Sequence, residues 1–451
     1  MTGFAHTATD QFMTTTAIIL AAGLGTRMKS QLPKAAHQIA GRSMLAHLIA
    51  TCEVRFDHIV VVIGPGMAEL EALAAPHRCV VQQDRLGTAH AALQAEEWFG
   101  DGQVSVLYVD NPLISIETLH RLQARAHLGD AELVLLAMRP PDPGKYGRVI
   151  EQGGYVESIV EWADASESVR AIGLCNAGVL SAPAAKFRTW LHAVRAENAK
   201  GEYYLTDVVE IARRDGALVV AVEAPFDELR GINSRAELAT AEAVMQHRLR
   251  LAAMESGATL MAPETVFFTT DTRLAPDVMV EPHVVFGPRV VVETGAIIRA
   301  FSHLEGVHIG PRAIVGPYAR LRPGTDVGEA AHVGNFVELK AVTLGAGAKA
   351  NHLSYLGDAS VGAGSNIGAG TITCNYDGFV KSRTTIGAGC FIGSDSVLVA
   401  PVAIGDGAFI AAGSVITRDV APDAMAFGRA RQEEKSGRAA EFRAARKKDP
   451  K

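Results

Sequence analysis

The chain has few cysteines, few aromatic residues and no long apolar run, and each shortage excludes a class of protein. Its 5 cysteines among 451 residues are scattered without CxxC spacing. We therefore expect neither a zinc site nor a disulfide framework, and a reducing, cytoplasmic location. No apolar run approaches the ~20 residues that a membrane span needs. Aromatic residues make up 6% against 44 glycines, which indicates a region of tight turns.

The two ends of the chain differ from its body. Residues 1–15 lack the basic and apolar regions of a signal peptide, and we predict a disordered N-terminal extension there, with Met13 as an alternative start. Residues 429–451 carry nine Lys or Arg against four Asp or Glu, whereas the whole chain has a net charge of −6. We interpret this basic C-terminal tail as a solvated end, and contact with nucleic acid or a membrane is the alternative interpretation. The acidic body disfavours nucleic acid, and no membrane partner is expected.

The first half, residues 16–233, alternates short apolar runs with amphipathic stretches. Four of the runs have the length and composition of buried strands: 17–22, 58–64, 104–109 and 132–138. Continuous apolar strands separated by helices indicate an α/β fold with a mostly parallel sheet covered on both faces. Residues 234–257 have helical periodicity and few breakers, so we predict a linker helix after this domain.

The second half, residues 258–428, carries a six-residue repeat that is typical of a parallel β-helix, in which one apolar residue per face points inward. The predicted inward residues are Val285, Val291, Ile297, Ile309, Val315, Leu321, Val327, Val333, Leu339, Val361, Ile367, Ile386, Ile392, Leu398, Ile404, Ile410 and Ile416. The intervals Leu339–Val361 and Ile367–Ile386 are not multiples of six. We expect outward insertions in both, and insertions of this kind often carry binding residues.

A glycine-containing turn follows the first predicted strand, and two cations follow the turn. Gly23 and Gly25 leave backbone N–H groups accessible, and Arg27 and Lys34 add positive charge. This combination suits a triphosphate whose charge shifts to a leaving pyrophosphate. The turn lacks the third glycine of a dinucleotide fingerprint and is not a Walker A loop. A tight turn with two surface cations is therefore the alternative interpretation.

The turn is the first of several motifs. They are Leu20-Ala-Ala-Gly-x-Gly-Thr-Arg-Met28 with Leu32-Pro-Lys34, Gln82 with Leu86-Gly-Thr-Ala-His90, Tyr108-Val-Asp110-x-Pro-Leu113, Tyr146-Gly-Arg148, Asn176-Ala-Gly178, Gly201-Glu-Tyr-Tyr-Leu-Thr-Asp207 and Gly231-Ile-Asn233. The first resembles the signature of sugar-1-phosphate nucleotidyltransferases. The full order resembles the bifunctional family that joins an N-acetylglucosamine-1-phosphate uridyltransferase to a glucosamine-1-phosphate N-acetyltransferase. The resemblance covers about residues 16–432.

The resemblance implies a role for each matching residue of the first half. Asp110 and Asn233 would hold Mg²⁺, an ion that prefers oxygen ligands. Arg27 and Lys34 would neutralise phosphates. The uridine nucleotide would contact Leu20, Ala21, Ala22, Gly23, Gln82, Gly87, Thr88, Tyr108 and Val109, and the sugar phosphate would contact Gly147, Glu161 and Asn176. The implied step is in-line attack of a sugar-phosphate oxygen on the α-phosphorus of UTP, with no covalent intermediate.

Three positions depart from the family pattern. Val109 stands where the family has glycine, and its β-branched side chain would crowd the nucleotide, so we expect weaker UTP or Mg²⁺ binding. Ala177 stands where threonine is frequent. Arg85 stands where some relatives carry glutamine, and it adds a cation near the pocket in which Gln82 and Gly87 would read the uracil edge.

Two motifs of the second half fall in the irregular intervals: Asn351-His-Leu-Ser-Tyr-Leu-Gly-Asp358 and Asn366-Ile-Gly-Ala-Gly-Thr-Ile-Thr-Cys-Asn-Tyr-Asp-Gly378. Both are similar to acetyltransferase motifs of the same family. His352 would take the proton of the amine that attacks the acetyl thioester, with Glu338 orienting it. The implied glucosamine-1-phosphate contacts are Arg322, Lys340, Tyr355, Asn366, Asn375, Tyr376 and Lys381, and the implied acetyl-CoA contacts are Ala369, Ser394, Ala412 and Arg429.

The resemblance thus implies an enzyme of UDP-N-acetylglucosamine synthesis, a supplier of cell-wall biogenesis, which acetylates first and then transfers uridylyl. Its fold would be a Rossmann-like nucleotidyltransferase domain followed by a left-handed parallel β-helix. Mg²⁺ would be its cofactor, acetyl-CoA and UTP its co-substrates, and a homotrimer its assembly, with loop 374–385 serving a neighbouring copy. Two alternatives stay open: a nucleotidyltransferase whose β-helix is a scaffold, and a non-catalytic exchange or assembly factor.

Overall fold

The computed structural model describes residues 14–447. Thr15 already belongs to the first strand, where its backbone N–H and its hydroxyl donate to Asp57 Oδ2 at 2.8 and 2.9 Å. Because these hydrogen bonds tie Thr15 to the sheet, the predicted extension over residues 1–15 is wrong at its last residue. The rest of that prediction, with the alternative start at Met13, lies outside the described residues, as does the end of the basic tail.

The chain divides into two compact units, which meet between His247 and Arg248. The division falls inside the helix Arg235–Glu255, which corresponds to the predicted linker helix over 234–257. The first turns of this helix pack against apolar residues of the first unit, and its last turns pack against the core of the second. The N-terminal part of the helix therefore belongs to the first unit and its C-terminal part to the second.

The first unit contains a large sheet with helices on both faces and, apart from it, a hairpin of two short strands. Its strands are β1 (Thr15–Leu20), β2 (Gln38–Ile39), β3 (Arg42–Ser43), β4 (His58–Ile63), β5 (Arg78–Val81), β6 (Gln103–Tyr108), β7 (Leu133–Met138), β8 (Arg148–Gln152), β9 (Tyr155–Val160), β10 (Cys175–Pro183) and β11 (Val219–Glu223). Its helices are α1 (Met44–Glu53), α2 (Ala68–Ala74), α3 (Thr88–Leu93), α4 (Ile116–His127), α5 (Glu167–Arg170), α6 (Ala184–Ala193), α7 (Asp207–Arg214), α8 (Phe226–Leu229) and the shared α9 (Arg235–Glu255).

The strand order of the sheet is β11-β7-β10-β6-β1-β4-β5, and β10 alone on this path runs antiparallel to its neighbours. Because side chains alternate along a strand, Ile18 and Leu20 enter one apolar core, while Ala17 and Ile19 enter a second core. All four apolar runs predicted as strands are strands. The prediction of a mostly parallel sheet covered on both faces is confirmed.

A crevice opens where β1, β4 and β6 end. β1 lies between the other two, and its last residue, Leu20, pairs with Val62 on one side and Tyr108 on the other. The helices that follow these three strands, α1, α2 and α4, all contribute to the core that contains Ala17 and Ile19. In open α/β sheets, ligands bind in the crevice beyond such carboxyl ends.

The second unit is a solenoid of short parallel strands, and the parallel β-helix is confirmed. One of its faces is a ten-stranded sheet: β12 (Thr259–Leu260), β14 (Met279–Val280), β17 (Ile297–Ile298), β20 (Ile314–Val315), β23 (His332–Asn335), β25 (Lys349–His352), β27 (Asn366–Ile367), β30 (Phe391–Ile392), β33 (Phe409–Ile410) and β35 (Met425–Ala426).

The basic tail contains an exposed helix, α10 (Arg438–Arg446).

The other two faces share strands, because β24 and β26 are long enough to contribute to both. These strands are β13 (Arg273–Leu274), β15 (Val285–Phe286), β16 (Val290–Val292), β18 (His303–Leu304), β19 (Val307–Ile309), β21 (Arg320–Arg322), β22 (Thr325–Val327), β24 (Glu338–Leu344), β26 (Tyr355–Val361), β28 (Ile372–Cys374), β29 (Thr384–Ile386), β31 (Val397–Val399), β32 (Val402–Ile404) and β34 (Val415–Ile416).

The predicted register of the solenoid is wrong in its first coils and correct from Ile309 onward. The outer surface carries the first three predicted core residues, Val285, Val291 and Ile297. The core holds their C-terminal neighbours instead, Phe286, Val292 and Ile298. The cause is a face of only five residues between the buried Leu304 and Ile309, which shifts the register by one position. Every later predicted inward residue is buried.

The first irregular interval contains no insertion. Between Leu339 and Val361 the inward row of the repeat continues through the buried residues Leu344, Ala350 and Leu356. The four intervals are therefore five, six, six and five residues long. The motif 351–358 therefore lies in regular coils, and the expected outward insertion there is wrong. The second interval does contain one. Thr373 points inward, and the chain then leaves the coil between β28 and β29.

Candidate active sites

The crevice of the first unit holds a cavity of 290 Å³. Its wall combines the end of β1, the segment between β5 and α3, and the end of β6. Eleven predicted nucleotide-site residues line it: Leu20, Ala21, Ala22, Gly23, Lys34, Gln82, Gly87, Thr88, Tyr108, Val109 and Asp110. Residues more than 80 positions apart in the sequence thus form one wall, as the resemblance implies.

The glycine turn brings Lys34 to this cavity. Gly25 has a φ of +64°, and a Cβ added to it would lie 2.6 Å from the Cβ of Lys34. The turn can therefore approach Lys34 only because residue 25 is glycine. An added Cβ on Gly23 would meet nothing within 4 Å, which leaves its backbone open to a ligand. Arg27 is exposed on the turn and is not among the lining residues.

Lys34 joins the two predicted Mg²⁺ ligands. Its Nζ donates to Asp110 Oδ2 at 2.9 Å and to Asn233 Oδ1 at 3.1 Å. The backbone N–H of Ile232 donates to the Asp110 carbonyl oxygen at 2.9 Å, which holds the two loops together. The side chains of Lys34 and Asp110 are 13% and 21% exposed. Two oxygens from separate loops therefore converge on one cation.

The loop before α3 is held close to its neighbours. Gln82 Nε2 donates to the Gly87 carbonyl oxygen at 3.1 Å, and the backbone N–H of Leu205 donates to Thr88 Oγ1 at 2.9 Å. A Cβ on Gly87 would lie 2.4 Å from the backbone of Tyr203. Because the chains pass so closely, the backbone of this loop itself forms part of the cavity wall.

The three predicted sugar residues are neighbours. The backbone N–H of Asn176 donates to the Gly147 carbonyl oxygen at 2.9 Å, and Asn176 Oδ1 accepts from the N–H of Gly178 at 3.0 Å. A Cβ on Gly147 would lie 3.3 Å from Glu161 Oε1. Burial raises the pKa of the Glu161 carboxyl, and a 3.3 Å hydrogen bond from Thr206 Oγ1 opposes part of this rise. Thr206 was not among the predicted residues, although it lies in the Gly201–Asp207 motif.

Val109 is 4% exposed and lines the cavity as part of the core. Its φ is not in the left-handed region, and its N–H donates to the Leu20 carbonyl oxygen at 3.2 Å. Valine thus meets no backbone strain here, and space is the only means by which it would affect a nucleotide. Ala177 lies in the same apolar cluster. Tyr108 packs against Gly178, where an added Cβ would lie 2.4 Å from the ring.

Four residues line the cavity without a contact implied by the resemblance: Ala35, Arg85, Ala91 and Glu202. Glu202 belongs to a quoted motif, and Arg85 carries a charge, so both had a sequence signal. Ala35 and Ala91 had none, because small apolar side chains occur throughout the chain.

His352 lies at a corner of the solenoid, at the end of β25. Its Nδ1 lies 2.7 Å from Oδ1 of Asn335, which occupies the same corner of the preceding coil. With Asn335 accepting, Nδ1 carries the proton and Nε2 is left to accept one. The prediction that Glu338 orients this ring is wrong. Glu338 lies past the corner on β24 and accepts from Arg322 Nη1 at 2.9 Å.

The predicted acetyl-CoA residues continue the corner that contains His352. Strand pairing places Ala350, Ile367, Ile392 and Ile410 on successive coils. The residues two positions further on therefore form one row, which we call the corner row: Asn335, His352, Ala369, Ser394 and Ala412. Coils repeat at ~4.8 Å, so Ala412 lies ~14 Å along the solenoid from His352. Small side chains beyond His352 make the corner accessible to an elongated ligand.

A polar cluster lies on the adjacent face. Lys340 Nζ donates to both carboxylate oxygens of Asp358 at 3.1 Å, and Asn375 Nδ2 donates to Asp358 Oδ2. Burial alone would raise the pKa of Asp358, but the hydrogen bonds from Asn375 and Lys340 outweigh burial and lower it. Tyr355 belongs to the same face, where an added Cβ on Gly357 would lie 2.5 Å from its hydroxyl oxygen.

The insertion between β28 and β29 holds the other predicted substrate residues. The backbone N–H of Ser382 donates to the Asn375 carbonyl oxygen at 2.9 Å, and Tyr376 forms an antiparallel bridge with Lys381. Tyr376 and Phe379 are 59% and 93% exposed. Within one copy, the insertion therefore keeps Asn375 beside Asp358 and directs its apolar tip to the surface.

Two predicted residues lie apart from this polar cluster. Asn366 is on β27, in the ten-stranded face, where it pairs with Lys349 and Phe391. Arg429 is exposed beyond β35, and its Cδ would lie 3.7 Å from a Cβ added to Gly413. Arg429 thus ends near the corner row, whereas Asn366 faces a different direction from Lys340.

Two family models match the chain, and each matches a different unit. The MobA-like NTP transferase domain matches residues 17–172, and the bacterial transferase hexapeptide model (six repeats) matches residues 383–418. Across residues 14–447, no helix is both long enough and apolar enough to cross a membrane. Fold and sites together define a transferase with an N-terminal nucleotidyltransferase domain and a hexapeptide-repeat β-helix.

Curated relatives identify the family. "Bifunctional protein GlmU" of Gluconacetobacter diazotrophicus is 68% identical over 96% of this chain and 95% of its own length. The proteins of the same name from Acidiphilium cryptum and Gluconobacter oxydans are 64% and 61% identical, over 96% and 95% of this chain and 99% and 96% of their own lengths. The chain belongs to the GlmU family.

The chain is accordingly a bifunctional enzyme of UDP-N-acetylglucosamine synthesis, with glucosamine-1-phosphate acetyltransferase and N-acetylglucosamine-1-phosphate uridyltransferase activities. Its co-substrates are a nucleotide and acetyl-CoA. The predicted family and function are confirmed, and both alternatives, the scaffold and the non-catalytic factor, are set aside.

Proposed function

We propose that uridylyl transfer takes place at the Lys34–Asp110–Asn233 cluster of the first cavity. The observation that carries this assignment is the convergence of Asp110 Oδ2 and Asn233 Oδ1 on one ammonium group. A phosphate oxygen of N-acetylglucosamine-1-phosphate attacks the α-phosphorus of UTP, a new P–O bond forms, and the bond to pyrophosphate breaks. Lys34 offsets phosphate charge in this step, so positioning and electrostatics supply the rate.

The same pair of oxygens fits a divalent cation. A carboxylate and an amide oxygen are ligands that Mg²⁺ accepts, with water and phosphates completing its shell. Their convergence on Lys34 Nζ indicates that the two loops already form a cation site. We assign Mg²⁺ to Asp110 and Asn233, where it would neutralise phosphate charge when bound. Because Lys34 contacts both oxygens, its ammonium and the metal compete for the same place.

Gly147, Glu161 and Asn176 are proposed to hold the sugar. The Glu161 carboxylate accepts from sugar hydroxyls, and the absence of a side chain at Gly147 lets the backbone pass close to Glu161, where an added Cβ would lie 3.3 Å from Oε1. A hydrogen-bond donor stabilises the Glu161 carboxylate strongly, because a buried carboxylate without a partner is unfavourable. A sugar hydroxyl supplies that donor, and Thr206 supplies another.

We assign acetyl transfer to His352. The amine of glucosamine-1-phosphate attacks the thioester carbonyl, an N–C bond forms, and the C–S bond to coenzyme A breaks. His352 Nε2 accepts the amine proton, because Asn335 holds the ring with Nδ1 protonated. The corner row places Ala369, Ser394 and Ala412 in line with His352, which supports an extended acetyl-CoA with its thioester at the histidine. Arg429 would meet a phosphate of coenzyme A.

The polar cluster beside His352 is proposed to bind the sugar phosphate of the acceptor. Arg322 and Lys340 lie on neighbouring coils, since their strands pair in register. Each cation already has a carboxylate partner, Glu338 and Asp358 respectively. A phosphate therefore binds by competing with those carboxylates, and Tyr355 lies close enough to contribute a hydroxyl.

A homotrimer is proposed as the assembly, and the cytoplasm as the location. The exposed tip of the insertion, Phe379 and Val380, is 93% and 60% exposed, and such apolar exposure favours burial against another copy. Asn366 lies on a different face from Lys340, which favours a site completed between copies and so also the proposed roles of Tyr376 and Lys381. The cytoplasm is favoured because the five cysteines are free. Light scattering after size-exclusion chromatography tests the trimer.

A split assay tests both halves. One reaction supplies acetyl-CoA and glucosamine-1-phosphate and follows free thiol; the other supplies UTP, Mg²⁺ and N-acetylglucosamine-1-phosphate and follows pyrophosphate. We expect Asp110→Asn to abolish pyrophosphate release and leave thiol release unchanged, and His352→Gln to do the reverse. In each variant, the retained signal shows that the unsubstituted unit is folded and active. Loss of both signals in either variant would contradict the assignment of one activity to each unit.

A further inference from the structure

Arg85 places a guanidinium group in the wall of the first unit's cavity. It lines the cavity together with Ala22, Gln82 and Gly87. Gln82 is 3% exposed and its amide is hydrogen-bonded to the Gly87 carbonyl oxygen. The guanidinium therefore borders a part of the cavity whose wall otherwise consists of neutral hydrogen-bonding groups.

The Arg85 side chain is held by two features. Its Nε donates to the carbonyl oxygen of Ala22 at 2.7 Å. The guanidinium lies against Gly64, where an added Cβ would be 2.2 Å from Nη2 and 3.0 Å from Cζ. The φ of Gly64 is not in the left-handed region. Glycine at position 64 thus provides space for the guanidinium rather than an unusual backbone conformation.

Most of the hydrogen-bonding capacity of Arg85 is left for a ligand. A guanidinium has five N–H donors and no acceptor, and Ala22 uses one. No ion pair found within residues 14–447 includes Arg85, so no carboxylate neutralises its charge there. Lys34 already supplies the cation at the Asp110–Asn233 cluster, whereas Arg85 belongs to the loop that carries Gln82.

We propose that Arg85 is a specificity residue of uridylyl transfer, which donates hydrogen bonds to the O4 carbonyl of uracil and so selects UTP over CTP. The inference rests on the proposed use of this cavity for UTP. Cytosine carries a 4-amino group, which is a hydrogen-bond donor, where uracil carries O4. This amino group would face the donors of Arg85, and neither group would then have a hydrogen-bond acceptor. A well-placed base contact is worth ~1–3 kcal/mol of discrimination, and a ~10- to 100-fold preference corresponds to ~1.4–2.8 kcal/mol within that range.

The test compares kcat/KM for UTP and CTP, measured by pyrophosphate release, in Arg85→Met and Gly64→Ala. Methionine keeps the unbranched stem of the side chain without the guanidinium and its donors, and alanine at 64 displaces the guanidinium. We expect the UTP/CTP ratio to fall ~10- to 100-fold in both. In the double variant the UTP/CTP ratio should fall no further than in either single variant, because both changes act on one contact. Arg139→Met, an exposed arginine paired with Glu223, should keep the wild-type ratio.

Two results would overturn the proposal: an equal loss for both nucleotides, which indicates a phosphate contact, and an unchanged ratio. The melting transition of the first unit, measured by calorimetry on the same preparations, reports whether the variants are folded, because thiol release reports only the second unit. If the wild type released no pyrophosphate at all, the proposed function of the cavity would fail instead. Calorimetric affinities for UTP and CTP would then test Arg85 directly, and equal affinities in wild type and Arg85→Met would refute its role.

Discussion

Replacing Lys34 by methionine tests whether its ammonium holds the proposed Mg²⁺ ligands, Asp110 and Asn233, together in the metal-free protein. Methionine keeps the length of the side chain and removes both hydrogen bonds, to Asp110 at 2.9 Å and to Asn233 at 3.1 Å. Hydrogen bonds to charged groups contribute ~1.5–3 kcal/mol each when buried. Because both partners of the ion pair are partly exposed, water replaces some of this, and we expect a net loss of about 2 kcal/mol.

For a unit of this size, that loss lowers the melting temperature by ~4–8 °C, measured by differential scanning calorimetry. The variant should also bind a divalent cation more tightly than the wild type, because Mn²⁺ no longer has to displace an ammonium group. Mn²⁺ titration followed by electron paramagnetic resonance, without nucleotide, measures this. Lys29→Met, which removes an exposed cation of the neighbouring turn, should change neither quantity. A wild-type melting temperature together with wild-type Mn²⁺ affinity in Lys34→Met would refute the reasoning.

Three further predictions concern single residues. Asn335→Ala should lower kcat for thiol release ~10-fold, with little change in KM, because His352 loses the acceptor that fixes its ring; a change in KM alone would contradict a positioning role. Val109→Gly should lower the KM for UTP and cost about 2–3 kcal/mol of stability, the sum of lost burial and added backbone entropy; an unchanged KM would end the crowding hypothesis. Burial raises the pKa of Asp207 to about 6 from 3.8, so the folded state holds this proton more tightly than the unfolded chain. Its stabilising contribution is therefore complete below about pH 4 and lost as the pH rises through 6. Asp207→Asn should melt ~2–4 °C higher than the wild type at pH 8 and equally at pH 4, and a constant difference between the two would show that the cause is not titration.

The architecture of both units could be predicted from local patterns. Buried parallel strands are continuous apolar runs, and all four predicted runs form strands of one sheet. The six-residue repeat identified the solenoid in the same way. The predicted register of that repeat was wrong in the first coils. A face of five residues between Leu304 and Ile309 shifts the register without changing the composition of the segment. Where several apolar residues are adjacent, as in Val290–Val292, the repeat in the sequence fits more than one register. A face that is one residue shorter than the others therefore cannot be detected from the repeat.

The membership of each site followed from motifs, but the contacts within it did not. The motifs named Lys34, Asp110 and Asn233, yet not that the ammonium lies between the two oxygens. The resemblance implied Glu338 beside His352. The structure instead uses Asn335, which is 17 residues away and one coil below. Position on a coil, rather than distance along the chain, decides which side chains meet.

By itself, then, the sequence determined the two fold types, the family and the residues that could carry its chemistry, because strand periodicity and motif identity are local properties. Only the tertiary structure decided which of those residues touch. Lys34 meets Asp110 and Asn233, which are 76 and 199 positions away in the sequence, and Arg85 fits because Gly64 leaves it space. Contacts of this kind depend on how strands stack and loops pack, which is set by the core as a whole.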